Sequence, residues 1–298
     1  MCRMTFAAVA ALVALCPFRP ASTQQVPGRD LFQFPLGTLA EPAALAVAAG
    51  GGFWNPATLA LQPGNRWLLA ATALNTPIDQ AVSAQLGTVA YRLADHVTAG
   101  LQVAQASVQD LLRTDTDPQT LAGEIPYRSM IASAIAAVSR GNASLGVAIR
   151  RRSGEVDITS GHATSVDVGG TIERPAGLPV RLAASTFLQS VTGKGDRVTL
   201  LGAAEGLLPI RAADVRAGIA YQRDRDAGSE TFAFTSARTH MVELRGGVAR
   251  QTAFGFTTTR LRLGLGLRYA RYLVGVSREE GTAGLGSTYQ FLLTTVFR

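Results

Sequence analysis

The chain predicts an all-β protein, an antiparallel transmembrane β-barrel of the outer-membrane kind with about 14 strands, and 12 as the smaller alternative. Three observations carry this. Short segments alternate apolar and polar residues with a period of two. The clearest is "RLRLGLGLRY", where Leu261, Leu263, Leu265 and Leu267 share one face and Arg260, Arg262, Gly264, Gly266 and Arg268 share the other. Mean hydropathy is +0.18, yet no run of about 18 apolar residues exists beyond the first segment, so the hydrophobicity is spread over many short elements and not held in lipid-spanning helices. The connections fall into two kinds, short turns and longer polar loops, as in a barrel whose two rims face different compartments.

Residues 1–23 read as a secretory signal. Arg3 precedes the apolar run "MTFAAVAALVALC", and a polar exit follows, with cleavage placed between Ala21 and Gln24. Leu15 stands where lipoprotein processing wants a small residue before Cys16, which disfavours a lipid anchor. The only cysteines, Cys2 and Cys16, fall in this leader, so neither a disulfide nor thiolate chemistry is expected of the mature chain.

Residues 24–64 form a separate N-terminal segment, periplasmic or lumenal. In "LAEPAALAVAAGGG", Pro42 suits the first turn of a helix, an Ala-rich run follows and glycines stop it. "FWNPATLALQPG" repeats the pattern, with Asn55 as N-cap, Pro56 at the first helical position, Leu59 and Leu61 on the turn and Pro63-Gly64 as the stop. Two such helices are too short to stand alone in water or to span lipid. They belong inside the barrel or against its periplasmic rim. Phe53 and Trp54 either anchor this segment by filling space or line a pocket for an apolar ligand, beside Asn55, Pro56 and Leu59.

Residues 65–298 supply the wall. "RWLLAATAL" is the first strand, and Trp67 at its start fits an aromatic girdle at the membrane interface. Alternation recurs at Leu101 and Val103, at Leu145, Val147 and Ile149, at Val166, Val168 and Ile172, and at Val215, Ala217, Ile219 and Tyr221. These segments run roughly 9–12 residues, the length of a tilted crossing strand. Short connections are expected at Asp95, Arg140 and Ala270. Long ones are expected at Gln109–Pro126, "RRSGEVDITSG", "VTGKGD", "RDRDAGSE" and "REEGTAGLGS". Thirteen strands are clear, and Thr231–Ala237 is the weak fourteenth that an even-numbered barrel requires. The last strand places Tyr289, Phe291, Leu293, Thr295 and Phe297 on one face, like the C-terminal assembly signal of outer-membrane barrels, although Arg298 follows Phe297. A soluble sandwich would show longer polar faces and a buried Trp.

The Ala/Gly-rich lead into "FWNPATLA", with the later "ELRGGVA", "GLGLRY" and "RYLVGVSRE", resembles the long-chain fatty-acid outer-membrane transporters (FadL-like). It is equally similar to their relatives in type IX secretion, the PorV/PorQ-type barrels. The resemblance implies 14 strands and an N-terminal segment packed in the lumen as a hatch. In the transporters hydrophobic molecules pass through the barrel and leave sideways through a wall defect. This chain is shorter than those transporters and lacks their long apolar loop insertions.

The net charge of +7 comes almost wholly from arginine, since Lys194 is the only lysine. These arginines are dispersed among acids, with one cluster, Arg150-Arg151-Arg152, at an expected loop edge, so nucleic acid is not an expected partner. Of three histidines, His96, His162 and His240, no two stand at ligand spacing, so neither a metal nor any other cofactor is expected. His162 near Asp157, Ser160 and Ser165 is the only neighbourhood a lipid hydrolase could use; an enzyme is not expected. Arg181, Glu205, Arg216, Glu243, Arg245, Arg260, Arg262 and Arg268 are placed facing the lumen, because charges face lipid at high cost. They either hold the hatch in a salt-bridged interior or line a path for anionic groups such as carboxylates. Glu243 and Arg245, two apart on one face, are expected to meet partners on neighbouring strands.

The expected function is passive passage of small hydrophobic or amphipathic molecules across a bacterial outer membrane, whose lipid contacts the wall. The alternative is a non-transporting scaffold that binds secreted protein cargo. A lipid hydrolase is the remote third.

Overall fold

The computed structural model describes residues 26–32, 35–48, 51–61, 67–77, 81–109, 111–114, 121–191, 198–210, 213–224, 228–253, 255–281 and 286–297. The leader, Lys194, the "TGKGD" portion of one loop and Pro63-Gly64 lie outside the described residues.

The wall starts with β1 (Trp67–Asn75), β2 (Val82–Ala94) and β3 (Val97–Val108). A small hairpin follows, β4 (Leu112–Thr114) with β5 (Leu121–Glu124), and the wall resumes with β6 (Tyr127–Arg140), β7 (Ala143–Val156), β8 (Thr159–Glu173) and β9 (Val180–Phe187). Next come β10 (Thr199–Ile210), β11 (Ala213–Asp224), β12 (Gly228–Arg238) and β13 (Val242–Ala253). The last three are β14 (Phe256–Tyr269), β15 (Tyr272–Glu279) and β16 (Thr288–Phe297). Fourteen of these strands form one closed antiparallel barrel, in which β1 pairs with both β2 and β16, and β4–β5 stands outside it. Closure leaves no edge strand in the barrel. The expected fourteenth strand is β12, longer than its apolar centre suggested because Ser229 and Glu230 join the ladder to β13.

The period-two pattern sorts outside from inside. Leu261, Leu263, Leu265 and Leu267 are 38–52% exposed on the outer surface, while Arg262 between them is 5% exposed and faces the lumen. On β16, Tyr289, Phe291 and Leu293 point out and Gln290, Leu292 and Thr294 point in. Trp67 lies exposed at one rim, its ring 4.6 Å from that of Tyr91.

An even count brings the start of β1 and the end of β16 to the same rim. This terminal rim has two-residue turns at 95–96, 141–142 and 270–271, as expected. The opposite, loop rim carries the β3–β6 connection with its hairpin, and the β9–β10 and β15–β16 connections. Two expected loops are instead wall. "RRSGEVDITSG" is the paired end of β7 and β8, closed by a two-residue turn at Asp157-Ile158. Asp157 adopts a left-handed backbone (φ 53°) that a short polar side chain tolerates, so no glycine is needed there. "RDRDAGSE" is likewise mostly strand, with Gln222↔Glu230 to Asp224↔Gly228 in register.

The wall has one marked irregularity. The β7–β8 ladder runs through fourteen residue pairs, but β8–β9 has five, Gly169↔Ser185 to Glu173↔Arg181. Beyond them Thr186 Oγ1 replaces a main-chain acceptor for the Val168 N–H (3.0 Å), and Leu188 turns to φ 58°. Phe187 and Leu188 thereby pass inside, 3% and 1% exposed.

The N-terminal segment fills the lumen. It runs from Val26, beside β7 near the loop rim, to Leu61 at the terminal rim, and its apolar side chains form the core with inward residues of the wall. Among its described residues there is no α-helix. Arg29–Phe32, Ala43–Leu45 and Pro56–Leu61 are 3-10 turns. Elements this short, pressed against the wall on several sides, gain more from contact than from i→i−4 bonding.

Candidate functional site

Asn55 caps the turn it precedes: its Oδ1 accepts the Ala57 N–H at 3.0 Å, and Pro56 occupies the first position. Its Nδ2 donates to Ala44 O at 2.8 Å, tying the two turns together. The turn sits on glycines. A Cβ on Gly146 would lie 2.4 Å from the Pro56 carbonyl carbon, and one on Gly169 would lie 2.0 Å from Asn55 Oδ1. Any side chain at either position would lift the segment off the wall. Leu59 is fully buried in a second cluster with Ile135, Ala137 and Ala148.

Phe53 and Trp54 are buried within an aromatic group. Their rings are 5.2 Å apart edge-on, and Phe187 packs 4.5 Å from Trp54 and 5.4 Å from Phe53. Trp54 Nε1 donates to Leu36 O at 2.8 Å, and Ser185 Oγ donates to Trp54 O at 3.0 Å, so the indole's one polar group is satisfied.

The residues that fasten this group were misplaced by the sequence reading. Arg150 and Arg152 lie on inward positions of β7, 0% and 1% exposed, with Arg151 between them on the outer face. Arg150 donates to Phe53 O (2.6 Å), to Ser133 Oγ (3.1 Å) and to Asp167 Oδ2 (2.5 Å), and its guanidinium lies over the Phe53 and Phe187 rings. Arg152 donates to Val26 O (2.6 Å) and Pro27 O (2.7 Å). Asp167, equally buried, also accepts the Gln189 N–H at 2.8 Å. One ion pair thus joins the N-terminal segment to the irregular β8–β9 seam. Removing ions from water is costly unless they are paired and fully hydrogen-bonded, and here both conditions hold. The parity of Asp167 opposite Val166 and Val168 was the readable signal.

The expected lumenal charges all face inward. Arg181 and Arg216 share Glu205 at 2.8 Å each. Arg245 pairs with Glu243 at 2.8 Å within its own strand, because a long guanidinium spans two residues on one face. Glu243 also lies within electrostatic reach of Arg238 on β12 and Arg268 on β14, the neighbouring strands expected to supply partners. Arg260 and Arg262 both bridge Glu230 and Glu279. Arg268 lies at the terminal rim beside Glu243. Glu41 of the N-terminal segment joins this network: Arg181 reaches its Oε1 at 3.4 Å and Arg245 its Oε2 at 3.2 Å.

Two large cavities lie among the described residues. One of about 630 Å³ opens at the loop rim, floored by Trp54, Phe32, Phe187 and Leu188. Its polar edge is internally paired: Arg29 with Asp224 at 2.7 Å, and Tyr127 donating to Asp30. The other, about 530 Å³, opens at the terminal rim between Glu41, Arg181, Glu205, Arg216, Arg245 and Arg268.

The histidine neighbourhood does not assemble. Ser165 is buried on the lumen face of β8, whereas His162 and Ser160 are exposed on the opposite parity and Asp157 lies in the rim turn. Among the described residues no group of three His, Cys, Asp or Glu side chains is placed to hold a metal.

No protein-family model matches the chain, and no curated protein matches its sequence. Solved structures do. The CymD monoaromatic hydrocarbon channel aligns with TM-score 0.60 at 12% identity, covering 94% of this chain and 99% of that one. A mutant of the Rh. blastica porin aligns with TM-score 0.44 at 11% identity over 78% of this chain and 99% of its own. The chain is a closed 14-stranded antiparallel barrel whose architecture is similar to that of a monoaromatic hydrocarbon channel.

Proposed function

We propose that this protein is a passive outer-membrane channel for small hydrophobic or amphipathic molecules, with residues 26–61 as its hatch. The observation that carries the reading is an aromatic-floored cavity of about 630 Å³ at one rim, closed beneath by the chain's own N-terminal segment. A barrel meant only as an anchor has no need of an apolar chamber above a segment fastened at so many points. The chamber's charged groups are already paired, so an entering solute meets apolar faces and closed ion pairs, which suits an uncharged or weakly polar guest. On this reading the loop rim faces outward, because longer loops mark that side and short turns the periplasm. The guest is taken up beside Trp54 and Phe187. It leaves either through the terminal-rim cavity after the hatch shifts, or sideways at Thr186–Leu188, where the wall ladder is interrupted. Ser165 and His162, on opposite faces of β8, offer no nucleophile–base pair, which favours passage over hydrolysis.

The similarity to a hydrocarbon channel suggests the probe. Cells with an intact lipopolysaccharide outer membrane that express this protein should take up labelled toluene faster than cells expressing Phe187→Asp, which places a carboxylate in the cavity floor. Equal uptake by both, with equal amounts of folded barrel in the membrane, would exclude this route.

A further inference from the structure

We propose that the terminal-rim cavity is a carboxylate-binding site which the hatch's own Glu41 occupies at rest, and that a small carboxylate entering from that rim competes with Glu41 and frees the hatch. The inference rests on reading residues 26–61 as a hatch. Arg181 and Arg245 each have a wall partner, Glu205 and Glu243, and each also donates to Glu41, one to each carboxylate oxygen. The two guanidiniums are therefore set at the separation of a carboxylate's oxygens. A solute carboxylate reproduces both bonds, and Glu41 forfeits in addition only the Val47 N–H, 3.1 Å from its Oε2. The exchange is sterically open: the Glu41 side chain is 12% exposed and borders the 530 Å³ cavity, whose further charged lining, Arg216, Arg238, Arg268 and Arg271 against Glu173 and Asp214, leaves a positive balance at its mouth.

Release at Glu41 has a route to the aromatic group. Arg245 holds the Thr38 carbonyl as well as Glu41. Further along the same stretch, Leu36 O accepts the Trp54 indole N–H and Ala44 O accepts Asn55 Nδ2. Loosening residues 36–44 withdraws partners from Trp54 and Asn55 without touching Arg150 or Arg152.

Trp54 and Trp67 are the only tryptophans, so Trp67→Phe leaves Trp54 as a single reporter. The full-length Trp67→Phe protein in detergent is titrated with cyclohexanecarboxylate, with cyclohexylmethanol as the uncharged counterpart. The expected result is a saturable red shift and a gain in acrylamide quenching of Trp54 with the carboxylate and none with the alcohol. Adding Glu41→Gln should produce the shifted emission without solute and abolish the titration, while the barrel keeps its heat-modifiable mobility. Arg245→Met should also abolish the titration. An equal response to the alcohol, or an unchanged midpoint in Glu41→Gln, would overturn the carboxylate site. The hatch reading fails by a separate result, a barrel lacking residues 26–61 that conducts no better than the intact one.

Discussion

The N-terminal segment is attached to the wall in two chemically different ways. Toward the loop rim, the buried Arg150 and Arg152 grip main-chain carbonyls at Phe53, Pro27 and Val26, with Phe53 fully enclosed and Val26 and Pro27 bordering the loop-rim cavity. Toward the terminal rim, Arg181 and Arg245 grip one side-chain carboxylate that borders a cavity. The Phe53 carbonyl, held by Arg150 in the closed interior, has no competitor, because no solute reaches it. A carboxylate held beside water does. The same residue type therefore fixes one end of the segment and leaves the other exchangeable, and burial decides which.

The largest effect that would break this contrast is expected at Arg150. Arg150→Met strands Asp167 in the interior and removes the bond to Phe53 O, at a cost of about 3–5 kcal/mol. It should appear as a lower melting temperature together with trypsin cleavage within residues 26–61. Arg150→Met combined with Asp167→Asn removes both charges and should recover much of the melting temperature. If Arg150→Met melts like the wild type, the loop-rim attachment is not what holds the segment. A smaller effect is expected at Gly146. Alanine there drives a methyl into the Pro56 backbone and should cost about 1–3 kcal/mol as overpacking. Hydrogen exchange should rise across 55–61 and stay unchanged in β14 and β15. Faster exchange spread evenly around the barrel would show that the turn and the wall do not behave as separate layers.

The wall was largely legible because lipid outside and a polar lumen inside impose opposite chemistry on alternate residues. Leu261 to Leu267 and the charges from Arg181 to Arg268 separated on that rule alone. Asn55 and Pro56 were legible as a cap, since capping is local. What eluded the sequence was decided by neighbours. Arg150-Arg151-Arg152 masks its own alternation, because the outward residue between the two buried arginines is also an arginine. The turn that reveals them as strand, Asp157-Ile158, lacks a glycine or proline signal. The Ala-rich run at 43–45 suggested a helix and became a single 3-10 turn packed against β9 and β10. The β8–β9 irregularity has no local mark at all; it accompanies the hydrogen bond from the Gln189 amide to Asp167 across the seam.

As a hatch, the N-terminal segment closes a barrel that would otherwise conduct. The most direct measurement is single-channel conductance in planar bilayers for the intact protein and for one lacking residues 26–61, both checked for heat-modifiable folding. The expected result is a small or absent conductance for the intact protein and stable, much larger openings for the shortened one. A shortened barrel that folds and conducts no more than the intact protein would contradict it.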